Sequence, residues 1–361
     1  MNSGIKDGIR VAEKTHCFLC GSQGRVLYPN LRDRSYTAPG SWTLLRCPKD
    51  GLVWINPQPV PEEIGKIYAE YSTHAVTNPG SLPFGWLRKV VRQGILETAF
   101  GYENSQLNGV ERAFGWLCSR FAPLRDSVGG MVMWLDAAWR GNLLDVGCGN
   151  GEIAAYVRNM GWEVTGVEPD PIAAGLAREK FGLKVYEGTV EEAQLQKESF
   201  DVITMHHVIE HLPDSHRTLE ECHRVLKPGG RLVIITPNIE SLASRIFGSA
   251  WLWLDPPRHF NLFSRRTLSI GVEQTGFQVA GLDLALRNAP SVWYGSRLIR
   301  LNKTLPGGLP KKQGLGFQIE GFAFLIIEYI LNFINKNAGE ELMLIATKRC
   351  NSCPVEVKPS P

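Results

Sequence analysis

A chain of 361 residues, 43% hydrophobic and 21% charged, has the makeup of a folded globular protein, which excludes wholesale disorder. Its 39 basic and 36 acidic residues leave a net charge of +3, too balanced for a surface that coats nucleic acid, so no nucleic-acid partner is expected. The opening MNSGIKDGIRVAEK lacks the apolar centre of a secretory leader, and no run reaches the ~18 uncharged apolar residues of a membrane span. The expectation is a cytoplasmic protein whose eight cysteines are thiols or metal ligands rather than disulfides.

Four zones follow one another. Residues 1–60 form a small cysteine module, with the compact knuckle Cys17-Phe-Leu-Cys20-Gly21, then Cys47, and strand-like runs at 42–46 and 52–55. Residues 61–141 open on Pro61-Glu-Glu-Ile, a helix start. They go on with aromatics and bases, among them Trp86, Arg88, Trp116, Arg120 and Trp134, as a helical lid or linker. Residues 142–348 alternate short apolar runs with helix-length segments, the signature of a parallel sheet built from βαβ units, with an insertion at 286–338. Strands are expected at 142–146, 163–168, 183–186, 200–205 and 231–236. Residues 349–361 read as a polar tail, in which Cys350 and Cys353 are a rival metal-binding pair.

The segment Leu143-Leu-Asp-Val-Gly-Cys-Gly-Asn-Gly151 places a carboxylate, Asp145, before glycines 147, 149 and 151. Such glycines let backbone turn sharply and let a ligand lie on bare main chain. Glu168 ends the next strand, where a carboxylate can accept both hydroxyls of a ribose. A dinucleotide site uses G-x-G-x-x-G, with a pyrophosphate at the helix start. Here Glu152 stands at the third-glycine position and would repel one, so the spacing favours S-adenosylmethionine over NAD.

With Val167-Glu-Pro-Asp170, Ser199-Phe-Asp-Val202, Val208-Ile-Glu-His-Leu212 and Arg224-Val-Leu-Lys-Pro-Gly-Gly-Arg231 in order behind that loop, the chain resembles the class I S-adenosylmethionine-dependent methyltransferases. The resemblance implies an α/β fold with a doubly wound, Rossmann-like sheet of seven strands, ending in a reversed hairpin. It places Asp145, Gly147, Cys148 and Gly149 at the amino-acid end of the cofactor, Glu168 on its ribose and Asp170 near the adenosyl group. Thr189 and Val190 would flank the adenine, and His206 would sit beside the methyl. The first 60 residues resemble the zinc-ribbon leader of a methyltransferase subgroup met in polysaccharide and secondary-metabolite pathways. That implies one structural zinc on Cys17, Cys20, Cys47 and Asp50, with Asp50 where a fourth cysteine is usual. It also implies a sugar or nucleotide-linked sugar as the acceptor. The alternatives are a quinone-like or polyketide-like hydroxyl compound, a protein or RNA acceptor, and a non-catalytic cofactor-binding subunit.

His206-His-Val-Ile-Glu-His211 is the most reactive-looking stretch, and His206 and His207 are catalytic candidates. His211 with Glu210 is read as fixing the loop. His259, after the stiff Asp255-Pro-Pro-Arg258, is a candidate base at the rim, with Arg258 available to a phosphate or carboxylate. The apolar stretch 317–335 is expected as a helix buried in a core or a homodimer interface, with a membrane-surface helix as the alternative.

Overall fold

The computed structural model describes residues 3–6, 8–36, 38–68, 85–103, 107–305, 308–310, 314–335 and 337–350. Cys353 therefore lies outside the described residues, as does most of the tail.

The expected sheet is present. Its strands are, in chain order, Asn142–Val146, Glu163–Glu168, Lys184–Glu187, Phe200–His206, Leu226–Pro237, Phe277–Ala285 and Glu341–Lys348. In space the order runs sixth, seventh, fifth, fourth, first, second, third. The first five are parallel, and the seventh runs antiparallel between the fifth and sixth. A parallel sheet is covered on both faces, so its strands must be apolar throughout. Leu143, Leu144, Ile203, Leu232, Val233 and Ile234 are accordingly fully buried. The strand order reverses between the first and fourth strands, and sheets of this kind take their ligands at such a point, at the carboxyl ends. The sixth strand, 277–285, was not picked out individually from the sequence. It pairs along one edge only and most of its residues are only partly buried, so its apolar signal is weak.

The cysteine module does not stand apart from this domain. Strands Arg25–Leu31, Trp42–Arg46 and Val53–Asn56 form an antiparallel sheet, whose fourth strand, Asn261–Leu262, comes from the loop after the main sheet's fifth strand. Leu19, Leu45, Leu52 and Trp54 share one core with Leu268, Val272 and Phe277. The Arg258 guanidinium locks the junction. It donates to both oxygens of Asp33 at 2.8 and 2.9 Å and to both of Asp255 at 2.6 and 2.9 Å. Arg258 is fully buried and lies 4.7 Å over the Tyr36 ring. Asp33 also accepts from the backbone of Ser35, Tyr36 and Ala38, which shapes the turn that presents it. The expectation that Arg258 meets substrate is thus corrected: its donors are committed inside the protein.

Helices Gly85–Phe100, Gly109–Ser119 and Ala122–Gly129 form the lid zone. The first two cross where Gly94 faces Gly115, a backbone approach that no side chain would allow. The lid joins the domain core through Trp134, Leu135 and Trp162.

Removing one partner of a buried ion pair strands the other's charge, at about 3–5 kcal/mol. Asp33→Ala is expected to lower unfolding free energy by about that amount, measured by urea denaturation followed through tryptophan fluorescence. An unchanged midpoint would mean that the Arg258 clamp does not hold the module.

Candidate active site

The glycine loop sits at the switch point. Gly147, Gly149 and Gly151 all have left-handed φ, of 70°, 56° and 78°. A side chain at Gly147 would strike Val208, and one at Gly151 would strike Ala177 and Leu183, so these two serve packing. Gly149 opens onto space free of protein atoms within 4 Å. It is the bare main chain on which a ligand can lie.

Two carboxylates stand near the ends of the first and second strands, and Glu168 holds the loop itself. Asp145 is buried and accepts from the Thr204 hydroxyl at 2.8 Å, and burial pushes its pKa up to about 7. Glu168 takes the Gly149 amide on one oxygen at 2.8 Å and the Asp170 amide on the other at 2.9 Å. Burial raises it too. Each of its oxygens has a second lone pair, so a rigidly held acceptor faces the loop. Desolvated carboxylates beside exposed backbone suit a ligand that carries a cationic ammonium or sulfonium and ribose hydroxyls. The donor set fits S-adenosylmethionine.

The remaining sites expected for the cofactor are more structural in appearance. Cys148 turns its sulfur onto Gly166, and burial keeps the thiol protonated. Asp170 caps helix Pro171–Phe181 through the amides of Ile172 and Ala173. Thr189 closes a turn with Glu192. Val190 is buried in the core just after the third strand.

Four histidines converge beyond the fourth strand. His206 Nε2 meets Arg287 Nη2 at 2.6 Å, and a guanidinium can only donate, so Nε2 accepts. Burial, then the charges of His207 and Arg287, hold His206 well below its usual pKa. His207, at a left-handed φ of 55°, bonds Glu210 at 3.1 Å and Glu341 at 2.7 Å, one carboxylate on each ring nitrogen. Burial opposes its charge, but the two carboxylates overcome that and raise its pKa to about 9. A histidinium with both N–H groups engaged has no lone pair to offer as a base. Glu210, with its second oxygen on Thr236, falls to about 2; burial opposes this, and the hydrogen bond and charge of His207 prevail.

His211 and His259 pack ring to ring, with centroids 4.6 Å apart. The expectation kept them apart, His259 on the rim and His211 behind it. His259 is in fact buried, with Nδ1 at 2.7 Å from the Trp253 carbonyl. A carbonyl only accepts, so Nδ1 carries a proton. His211 meets the Tyr68 phenol at 2.7 Å, and burial followed by the His259 charge lowers it to about 4.

Reading the sequence missed Arg287, Asn288 and Glu341, which complete this network. Glu341 opens the seventh strand, 134 residues beyond His207, and no local pattern ties the two. Arg287 lies over Trp134 and against Gly130, so the lid supports it directly.

The cysteine module gathers Cys17, Cys20, Cys47 and Asp50, with one donor atom from each inside 4.8 Å of all the others. Cys20 and Cys47 sulfurs are 3.5 Å apart, and Cys17 donates to Asp50 at 3.2 Å. The amides of Lys49 and Asp50 point at the Cys47 sulfur. Three sulfurs and one carboxylate at this spacing fit a tetrahedral zinc.

Residues 111–281 match the family model described as a methyltransferase domain. A ubiquinone biosynthesis O-methyltransferase of Pseudomonas paraeruginosa is 36% identical over 129 residues, 33% of this chain and 56% of that protein. One of Cereibacter sphaeroides is 36% identical over 126 residues, 32% of this chain and 51% of that protein. The chain thus spans about half the length of the curated relatives it matches. Among solved structures, a methyltransferase from Thermotoga maritima is 25% identical, covering 72% of this chain and all of its own, at a TM-score of 0.42. One from Archaeoglobus fulgidus is 22% identical, covering 65% and 99%, also at 0.42.

The raised pKa of His207 has a defined sign. The folded state keeps a proton that the unfolded chain releases near 6.5. The stabilisation is complete below about pH 6.5 and disappears as the pH rises through about 9. The stability gap between wild type and His207→Gln, of order 1–3 kcal/mol at pH 6, is therefore expected to close by pH 10. Thermal melts of both proteins from pH 6 to 10 measure it; a gap that is constant with pH would refute the charged state.

Proposed function

We propose that this chain, which carries a class I S-adenosylmethionine-dependent methyltransferase domain, methylates an oxygen of a small hydroxylated acceptor. The observation that carries the reading is the pair of buried carboxylates, Asp145 and Glu168, near the ends of the first and second strands, with the open Gly149 backbone bonded to Glu168. Bound there, S-adenosylmethionine supplies an electrophilic methyl on a good leaving group. The chain has to hold acceptor and cofactor in line, exclude water and take one proton. Gly147 and Gly149 shape the cofactor loop, and Asp145 and Glu168 hold its charge and its ribose. Asp170, Thr189 and Val190 border the far end.

Proton acceptance is assigned to His259. Its tautomer is set by the Trp253 carbonyl, and His211 and the ionised Glu210 lie beside it. His206 and His207, the other catalytic candidates, are read as positioning residues, because Arg287 and two carboxylates occupy their nitrogens.

For the acceptor, the ubiquinone-pathway names of the curated relatives favour a quinone-like hydroxyl compound over the sugar first expected. A nucleotide-linked sugar stays as a second reading, supported by the assembled cysteine tetrad and its resemblance to the zinc-leader subgroup. Calorimetric titration with S-adenosylhomocysteine tests the cofactor site. Glu168→Ala is expected to weaken binding by about 1.5–3 kcal/mol, the cost of lost hydrogen bonds to a charged group. Wild type that binds NAD and not S-adenosylhomocysteine would overturn the reading. Transfer of labelled methyl to a panel of catechols, set against a panel of nucleotide sugars, separates the two acceptors.

We also propose one structural zinc on Cys17, Cys20, Cys47 and Asp50. Metal analysis is expected to find close to one zinc per chain, and Cys20→Ser to lose it. Retention by Cys20→Ser with loss in Cys350→Ser would move the site to the tail.

A further inference from the structure

The helix Leu315–Ile334 is built inside out. Its inner face is Gly321 against Pro290, Phe324 stacked on Trp293 at 4.7 Å, and Glu328. Glu328 is buried near Glu340, and burial first, then that neighbouring charge, raise its pKa far above the carboxylate range. The outer face carries Ile319, Phe322, Ile327, Ile330, Phe333 and Ile334, each between 51% and 82% exposed. The expectation of a core helix is thereby corrected. By length and composition the helix could cross a bilayer, yet its first half is fastened to helix Ala289–Arg300. Tyr294 meets Phe317 at its start, and Arg297 pairs with Glu320 at 3.2 Å.

The helix also touches the lid. Phe121 meets Tyr329 edge to face at 5.1 Å, and Tyr329 meets Phe333 at 5.1 Å. Twenty large hydrophobic side chains are exposed among the described residues; seven lie on this helix and seven on the lid helices, including Trp86, Phe114, Trp116 and Leu117. Soluble monomers do not gather apolar surface in this way without an occupant.

We infer that this face rests on the surface of an anionic lipid bilayer, lying in the interface without crossing it. Three observations select the lipid. Tryptophans accompany the aliphatic residues, and indole rings favour the headgroup level. Residues 85–129 hold six lysines and arginines against four acids, one of which, Asp126, is buried, and Lys311, Lys312 and Lys336 flank the apolar helix in sequence. Such residues reach past an apolar surface to anionic headgroups, at about 1 kcal/mol each. A second copy of the chain would bring the same net positive lid charge against itself, and this repulsion disfavours a symmetric dimer through the face. Docked in this way, the protein would meet lipid-soluble acceptors of the quinone-like class at the membrane. The docking itself does not depend on that acceptor.

The test is co-sedimentation of the full chain with vesicles of phosphatidylcholine alone and of phosphatidylcholine mixed with phosphatidylglycerol. Wild type is expected to pellet with the mixed vesicles and to be released by salt. Ile330→Glu with Phe333→Glu, both outward-facing, is expected to need about tenfold more lipid or more, with its thermal midpoint and S-adenosylhomocysteine affinity unchanged. Wild type that stays in the supernatant with both vesicles overturns the inference. So does analytical ultracentrifugation showing a dimer that the double variant splits, since the occupant is then a second copy. Methyl transfer to a water-soluble catechol is scored separately, so failure of the lipid test leaves the methyltransferase reading standing.

Discussion

Much of the site depends on one buried cation. Arg258 sits between Asp33 of the cysteine module and Asp255 of the loop after the fifth strand, with no exposed surface and four charge-assisted hydrogen bonds. A guanidinium taken from water is tolerated only with such pairing, so the two acids must stay in place. That requirement fixes the 255–264 loop. The loop lends residues 261 and 262 to the module's sheet, puts His259 against His211, and receives Glu210's carbonyl through the Phe260 amide. The module is therefore part of the wall of the site, and a charge buried 225 residues from its partner holds it there.

The rim shows how one residue type takes several states in a small volume. Burial alone drives every histidine toward neutrality. His207 escapes because two carboxylates outweigh burial, whereas His206 meets an arginine and His211 meets a phenol and another imidazole. The result is one positive charge, on His207, beside two rings, His206 and His211, that are held toward neutrality. Glu341 joins the seventh strand to this network and Arg287 joins the lid, so closing the sheet and arming the rim are one event.

On the opposite logic stands the helix 315–334, where apolar residues face outward and an acid faces in. Packing decides which face is covered, and the partner helix at 289–300 meets it along Phe317, Glu320, Gly321 and Phe324. Among the described residues, the rest of an apolar circumference is left uncovered. The adjoining lid supplies the bases that make an anionic bilayer the best match.

The sheet was legible in the amino-acid order because its causes are local. Apolar runs at 142–146 and 200–206, left-handed glycines at 147 and 149, and an acid at 168 each announce their structure within a few residues. The knuckle at Cys17 and Cys20 is local in the same sense, and Cys47 and Asp50 gather with it as expected. What only the tertiary structure decided is pairing over long separations: Arg258 with Asp33, His207 with Glu341, and the module's sheet with residues 261–262. Sequence marks these residues as polar but not which will be buried together, because a buried charge is stable only beside the partner that the whole fold brings to it. The helix at 315–334 makes the same point from the apolar side. Composition determined that it is helical and hydrophobic, and only packing against 289–300 decided which of its faces is left uncovered.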